Sequence, residues 1–168
     1  SSRIDLPSVH IPTKEAREIK ARCGMRQALV RFRTVLINNV RGWLRGQLVK
    51  PRSGGVETFP VRVRNRLGEA LPATVERQLL VIERLTQEIK ESTRELAELA
   101  KNDPVCNLLM SVPGVGSITA LSFKAAVDDV TRFKNAHFLE AYLGLTPGEN
   151  SSSEKKRITS ITKAGSST

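Results

Sequence analysis

Residues 73–101, ATVERQLLVIERLTQEIKESTRELAELAK, decide the fold class. Val75, Ile82, Ile89 and Leu96 recur at a spacing of seven, the period of a helix seam about four heptads long. Leu85 and Leu99 fill two of the complementary core positions, while Gln78 and Ser92 leave two polar. The stretch predicts one long coiled-coil helix from about Ala73 to Lys101. Two partners fit such a seam: an earlier helix of the same chain folded back as an antiparallel hairpin, or the same helix of a second copy. A seam of this kind orders a molecule and does no chemistry.

Toward the N-terminus, residues 49–72 carry Pro51, Gly54, Gly55, Pro60, Gly68 and Pro72 with no helical period, which predicts a linker or loop. Arg62, Arg64 and Arg66 alternate there, and an extended backbone would point all three to one side. That arrangement suits a phosphate backbone and equally an exposed, solvated loop. Before it, Pro12-Thr13 reads as a helix start with Thr13 as N-cap and Glu15 in the first turn. Met25, Leu29, Phe32, Leu36, Val40 and Trp43 then step by three or four, giving one apolar stripe on a long amphipathic helix ending near Leu48. Arg17, Arg22, Arg26, Arg31, Arg33, Arg41 and Arg45 mostly fall off that stripe, so an arginine-rich outer surface is expected.

Toward the C-terminus the pattern shortens. Pro104 opens a short helix through Leu108, Leu109 and Val112, a second runs from Ser117 to Val127, and a third runs from Phe133 through Leu139 and Leu143, with Gly144 as its C′ stop. From Pro147 the chain reads as loop, and residues 157–162 form a β-branched stretch fit for a strand or hairpin arm. The fold class expected is mainly α. A basic helix, linker and coiled-coil helix occupy residues 1–103, and a small helix-hairpin-helix domain occupies 104–168.

Charge narrows the partner. The chain carries 27 basic and 17 acidic residues, a net of +10. Residues 1–70 alone hold 15 basic and 5 acidic side chains, so the whole excess is localised. A localised cationic surface points to a polyanion: DNA, RNA or an acidic membrane surface. A basic protein that binds nothing is the plain alternative. Cys23 and Cys106 are far apart and have no partner spacing, so neither zinc ligation nor a disulfide framework is suggested, and a reduced, cytosolic setting fits. No apolar run reaches membrane-span length, so no membrane partner is expected. The first residues include no initiator Met and the last stop in a turn-like Gly165-Ser166-Ser167-Thr168, from which a segment cut at both ends is expected.

The segment Leu109-Met110-Ser111-Val112-Pro113-Gly114-Val115-Gly116-Ser117-Ile118-Thr119-Ala120-Leu121 resembles a helix-hairpin-helix motif. Gly114 and Gly116 permit a tight backbone turn, and the N–H groups at Ser117, the start of the following helix, are placed to hold a phosphate. Such contacts position a duplex without reading its sequence. A helical turn with no ligand is the competing interpretation.

Several further motifs follow in order: Val112-Pro113-Gly114-Val115-Gly116, Arg132-Phe133-Lys134, Ala141-Tyr142-Leu143-Gly144-Leu145-Thr146-Pro147, Ser151-Ser152, and Ile161-Thr162-Lys163-Ala164-Gly165. Together they resemble the C-terminal transposase domain of the insertion-sequence 110 family, transposases guided by a bridge RNA. The likeness is close over residues 104–168 and looser over 9–103, which resemble the family's middle region. It implies a DNA recombinase in which an N-terminal RNase-H-like domain with four acidic, magnesium-binding residues meets a serine from this C-terminal domain across subunits. The serine attacks DNA to form a phosphoserine link, and a structured guide RNA directs donor and target.

Carried over, that serine is Ser152, with Ser151 as its neighbour. Two positions depart from the family pattern: Ser153-Glu154 stands where Gly-Gly is usual, and Thr159 where Gly is usual. A serine hydroxyl needs a base or metal for activation, and the two histidines, His10 and His137, are remote in sequence from Ser152. Asp128 and Asp129 are adjacent, diverge on any helix, and are read as capping or solvating a turn. Lys155, Lys156, Arg157 and Lys163 suit neutralisation of a scissile phosphate and equally a solvated loop.

The expected nucleic-acid contacts are therefore Gly114, Gly116, Ser117, Lys155, Lys156, Arg157, Lys163, Arg26, Arg33 and Arg41. No cofactor is expected in this chain itself, since magnesium belongs to the family's acidic domain. DNA, a guide RNA and a second copy joined through the coiled coil are the expected partners, at the bacterial nucleoid. These 168 residues alone are expected to bind nucleic acid without catalysing transposition. Two alternatives stand beside this reading: a helix-hairpin-helix module without a nucleophile, and an RNA-binding scaffold built on the basic helix.

Overall fold

The computed structural model describes residues 10–145, 147–149 and 158–161. Six helices follow in order: α1 (Lys14–Gly46), α2 (Phe59–Leu67), α3 (Ala73–Lys101), α4 (Pro104–Met110), α5 (Ser117–Val127) and α6 (Ala136–Tyr142). Two short strands, β1 (Pro147–Glu149) and β2 (Ile158–Ile161), pair antiparallel with an irregular register. The protein is mainly α, as the periodicity predicts. Pro147–Glu149, expected as loop, is paired backbone.

The helix starts follow capping chemistry. Thr13 Oγ accepts the Ala16 N–H at 3.1 Å, Asp103 accepts the Cys106 N–H at 2.8 Å, and Asn135 accepts the Phe138 N–H at 3.2 Å. Because Asn135 takes the N-cap, α6 starts at Ala136 and not at Phe133. Leu143 caps its end and Gly144 follows at φ +69, the left-handed stop expected of C′.

The helix α3 folds back on α1 as an antiparallel pair, so its seam is filled within one chain. Val75, Ile82, Ile89 and Leu96 are all buried, as the spacing of seven predicts. The complementary row is displaced by one residue from the expected one: Leu79, Thr86 and Ala100 are buried and Thr93 is half-buried, whereas Gln78, Leu85, Ser92 and Leu99 flank the seam half-exposed. A helix advances 100° per residue, so a step of four instead of three moves the second row to the other side of the first.

On α1 the facing residues are Ala16, Ile19, Cys23, Arg26, Val30, Arg33, Ile37, Val40 and Leu44. Only Val40 of the predicted apolar stripe is fully buried. Met25 remains 69% exposed and Phe32 62% exposed. The middle of the interface is a polar layer. Arg26 Nε donates to Thr93 Oγ1 at 2.8 Å, and Arg33 Nη1 donates to Thr86 Oγ1 at 3.4 Å. Each threonine in turn donates to its own helix, Thr86 to Ile82 O and Thr93 to Ile89 O. Arg26 and Arg33 thus point into the hairpin, contrary to the outer surface expected of them.

The predicted linker contains α2. Phe59 and Pro60 open it, and Phe59, Pro60 and Val63 turn into the core. Helical geometry separates the three alternating arginines. Arg64 lies against α3 and pairs with Glu76 and Glu83, while Arg62 and Arg66, four residues apart, share another face.

Two apolar clusters close the ends of the rod. One joins Ile37, Val40, Leu44, Phe59, Val63, Val75, Leu79 and Ile82. The other joins Ile19, Leu96, Ala100, Cys106, Ala120, Leu121 and Ala125, so residues on both sides of position 103 share one core.

Candidate nucleic-acid interface

The turn between α4 and α5 is built by its sequence. The Val115 N–H bonds Val112 O at 3.1 Å, closing a β-turn with Pro113 and Gly114 in its centre. Proline supplies the fixed φ of the first central position and Gly114, at φ +88, the positive φ of the second, the combination of a type II turn. Gly116 then forms the N-cap of α5 at φ −91 and ψ 172, an ordinary extended conformation, and no side chain caps the helix. A Cβ at Gly116 would meet nothing within 4 Å. Its backbone therefore does not require glycine; what glycine does there is leave the first amides of α5 uncapped. Gly114 and Gly116 are exposed and Ser117 is half-buried. The arrangement offers uncapped N–H groups at the positive end of a helix dipole to an anion.

Ion pairs fix the α4–α5 hairpin to the rod at the end opposite this turn. Lys124 of α5 donates to Glu15 at 2.7 Å and to Asp103, joining α1, the start of α4 and α5. Burial alone would lower the Lys124 pKa; its bonds to Asp103 and Glu15 outweigh that and raise it to about 12. Burial would likewise raise the Asp103 carboxyl, and the Lys124 ammonium and the Cys106 N–H hold it below its usual range instead. Asp128, at φ +58 after α5, accepts from Thr13 Oγ at 2.7 Å, from Thr13 N–H at 2.8 Å, and lies 2.9 Å from His10 Nε2. Those bonds hold its carboxyl below the usual range.

Two motif segments of the C-terminal region meet in space. The Arg132 guanidinium lies 4.6 Å from the Phe133 ring centroid and 4.5 Å from that of Tyr142, and the two rings are 5.3 Å apart. Arg132-Phe133 and Ala141-Tyr142 are thus two halves of one stacked contact. Sequence order alone gives no signal of it.

Of the sequence-predicted residues, Gly114, Gly116 and Ser117 lie together at the α4–α5 turn, beside the middle of α1, where the neighbouring Ile118 lines a hollow with Gln27 and Arg31, and Arg41 lies toward the C-terminal end of α1. At the rise of an α-helix, Ile19 and Leu44, which mark the two apolar clusters, are about 37 Å apart. Arg41 is exposed and stands 5.4 Å from the Phe59 ring centroid. Arg26 and Arg33 bond within the hairpin. Ser151, Ser152, Lys155, Lys156, Arg157 and Lys163 lie outside the described residues.

Among the described residues, no three His, Cys, Asp or Glu side chains gather to hold a metal. Asp128 is engaged by Thr13 and His10, and Asp129 accepts the Thr131 N–H and hydroxyl. The residues described do not fit a magnesium site. Among them, no helix is long and apolar enough to cross a membrane.

A basic, mainly α chain with this turn and these C-terminal motifs falls in the class of insertion-sequence transposases. The Transposase IS116/IS110/IS902 family model matches residues 106–168. Over 98% of this chain, 33% of residues are identical to the transposase for insertion sequence element IS1111A of Coxiella burnetii, of which 47% is covered. A probable family 20 transposase of Pseudomonas aeruginosa is 27% identical over 98% of the chain and 51% of its own length. The transposase for insertion sequence element IS1328 of Yersinia enterocolitica is 27% identical over 95% of the chain and 49% of its own length. Residues 106–168 thus carry an IS116/IS110/IS902 family transposase domain, and the chain as a whole is similar to transposases of which it spans about half the length.

Proposed function

We propose that this chain is the nucleic-acid-gripping, nucleophile-bearing part of a DNA transposase. The uncapped N-terminus of α5 at Gly116, inside the segment that the family model covers, carries the reading. In helix-hairpin-helix fashion, the amides that follow Gly116 hold a phosphate of the DNA backbone and set its register. Ser152 is the nucleophile. Its Oγ forms a bond to phosphorus, the bond to one bridging oxygen breaks, and the hydroxyl proton passes to a base while the leaving oxygen is protonated. One phosphodiester replaces another, so the energy of the strand is kept for rejoining. The carboxylates that hold magnesium belong to the family's acidic domain, and these 168 residues alone bind nucleic acid without catalysing exchange. A guide RNA directs the complex. Because α1 occupies the α3 seam, a second copy associates through other surfaces.

Gly116→Asp tests the turn without strain. A carboxylate at the N-cap occupies the amides and stabilises α5, since the cap preference of Asp over Gly is a few tenths of a kcal/mol. Thermal stability is expected to hold or rise while affinity for a 20-bp duplex falls at least tenfold. Unchanged affinity removes the turn from the interface. For the nucleophile, a covalent DNA adduct of the protein joined to its acidic domain is lost in Ser152→Ala and kept in Ser151→Ala. An adduct kept in both variants assigns the nucleophile to another residue, and no adduct even in the unsubstituted protein leaves a binding module, the reading favoured by Ser153-Glu154 in place of Gly-Gly.

A further inference from the structure

At the end of the hairpin remote from the α4–α5 turn, the last turns of α1, the following loop and α2 enclose a cleft of about 760 Å³. Arg41, Arg45, Lys50, Arg52 and Arg62 line it, and no carboxylate does. A second hollow of about 550 Å³ lies alongside, where Lys50, Arg52 and Arg62 recur with Arg66. The two hollows share a basic ridge.

The cleft is built and not an accident of long side chains. Arg62 folds inward and donates to the carbonyls of Arg52, Gly54 and Gly55, which fixes the loop on α2. Gly54 lies so close that a Cβ there would meet the Arg62 guanidinium carbon at 3.0 Å. Leu48 at the rim is held at φ +55, a conformation that leucine rarely adopts. Several cations elsewhere are matched: Arg64 with Glu76 and Glu83, Arg84 with Glu88, Arg94 with Glu91, and Lys124 with Asp103 and Glu15. Among the described residues, no carboxylate pairs with Arg41, Arg45, Lys50, Arg52 or Arg66. Gathering unpaired like charges in a concave surface opposes folding by self-repulsion, and an anion that spans several of them relieves it.

We propose that this cleft is a second phosphodiester-binding site, separate from the turn, in which Arg41, Arg45, Lys50 and Arg52 hold consecutive phosphates of one nucleic-acid strand. Arginine's planar fork matches two phosphate oxygens at once, and Arg62, engaged with the loop carbonyls, shapes the site. The inference rests on nucleic acid being the partner and not on the α5 contact.

The test uses the full chain and measures binding against salt concentration for a DNA duplex and a folded RNA hairpin with equal numbers of phosphates. One variant combines Arg41→Gln, Arg45→Gln, Lys50→Gln and Arg52→Gln. A control removes the same charge from exposed α3 positions through Arg77→Gln, Arg84→Gln, Lys90→Gln and Arg94→Gln. Circular dichroism and melting verify that both remain folded. Each lost duplex contact lowers the slope of log K on log salt by about 0.9. The cleft variant is expected to lower it by about 2 to 4 on at least one ligand, with a drop of at least tenfold in affinity, and the control by less than about 1. The ligand that shows the larger change identifies the strand held there. Equal losses in the two variants, or no loss in the cleft variant, overturn the proposal, as does tighter binding to anionic lipid vesicles than to either nucleic acid. Cleft loss with an unaffected Gly116→Asp variant refutes the turn and leaves the cleft standing.

Discussion

Leu79 and Leu85 distinguish the observed seam from the one that spacing suggests. Leu79 is fully buried among Ile37, Val40, Leu44, Phe59, Val63, Val75 and Ile82, while Leu85 is half-buried on the flank. Truncating Leu79 to Ala removes buried methyl groups from a packed cluster and leaves a cavity, at a cost of about 3–4 kcal/mol. Leu85→Ala gives up only part of a side chain's burial, about 1–2 kcal/mol. For a chain of this size, about 2–4 °C of melting temperature accompanies each kcal/mol, so Leu79→Ala melts roughly 6–16 °C lower. Urea denaturation followed by far-ultraviolet circular dichroism gives both values, compared at equal m. If Leu85→Ala costs as much as Leu79→Ala, the helix pair is packed in the other register. Arg26 and Arg33 then turn outward, and the account of the polar layer fails.

Further outcomes follow from individual contacts. Arg33→Met, an apolar side chain in place of a cation facing Thr86, is expected to change stability by less than about 1 kcal/mol, because uncharged packing often matches a buried polar contact. Its duplex affinity is expected to stay within twofold, whereas a large loss would return Arg33 to the nucleic-acid surface. Asp128→Asn probes the tie between α1 and α5. The folded carboxyl titrates below its ordinary 3.8, so the stability it adds is complete above that value and drains as pH falls through the lower folded one. The wild-type advantage over Asp128→Asn is therefore expected in full at pH 6 and to shrink as pH falls below 3.8; an advantage that grows with acid contradicts the assignment. Burial, with Asp103 nearby, pushes the Cys106 thiol up to about 11. At pH 8 an alkylating reagent is expected to modify Cys23 while sparing Cys106 until the chain unfolds, as mass spectrometry of the two peptides would show.

The residues that sequence placed well are those with a local cause. Thr13, Pro104 and Gly144 act within one helical turn, and Pro113-Gly114 forces its own bend, so several helix ends and the α4–α5 turn are legible without the fold. The seam is different. Its middle contains Arg26 and Arg33 opposite Thr93 and Thr86, and polar residues at core positions hide a core row. With those arginines set aside, the best remaining period slides to Met25, Leu29, Phe32 and Leu36, a neighbouring stripe. On α3 the same effect favours Leu85 and Leu99 over Thr86 and Thr93. Pro60 and the glycines before it likewise disguise α2, since proline breaks a helix interior but opens a first turn. The basic cleft was only half legible: Arg41 carries the expected charge, but its neighbours Lys50, Arg52 and Arg62 join it only because α2 folds back.

Two groups of cations in the first 70 residues differ in kind. Arg26, Arg33, Arg62 and Arg64 are committed to threonine hydroxyls, loop carbonyls or carboxylates of the protein itself. Arg41, Arg45, Lys50, Arg52 and Arg66 have no such partner among the described residues, and they gather at one end of a two-helix rod. The uncapped start of α5 stands beside the middle of the rod, where Ile118 neighbours Gln27 and Arg31, while Lys124 and Asp128 tie the far end of α5 to the start of α1. From Gln27, beside the α5 start, to Arg41 in the cleft, α1 rises about 21 Å, and apolar clusters at both ends with a hydrogen-bonded layer between them set that spacing. In the proposed binding mode, moving a cation from one end to the other leaves the net charge of +10 unchanged and still alters which phosphates are reached.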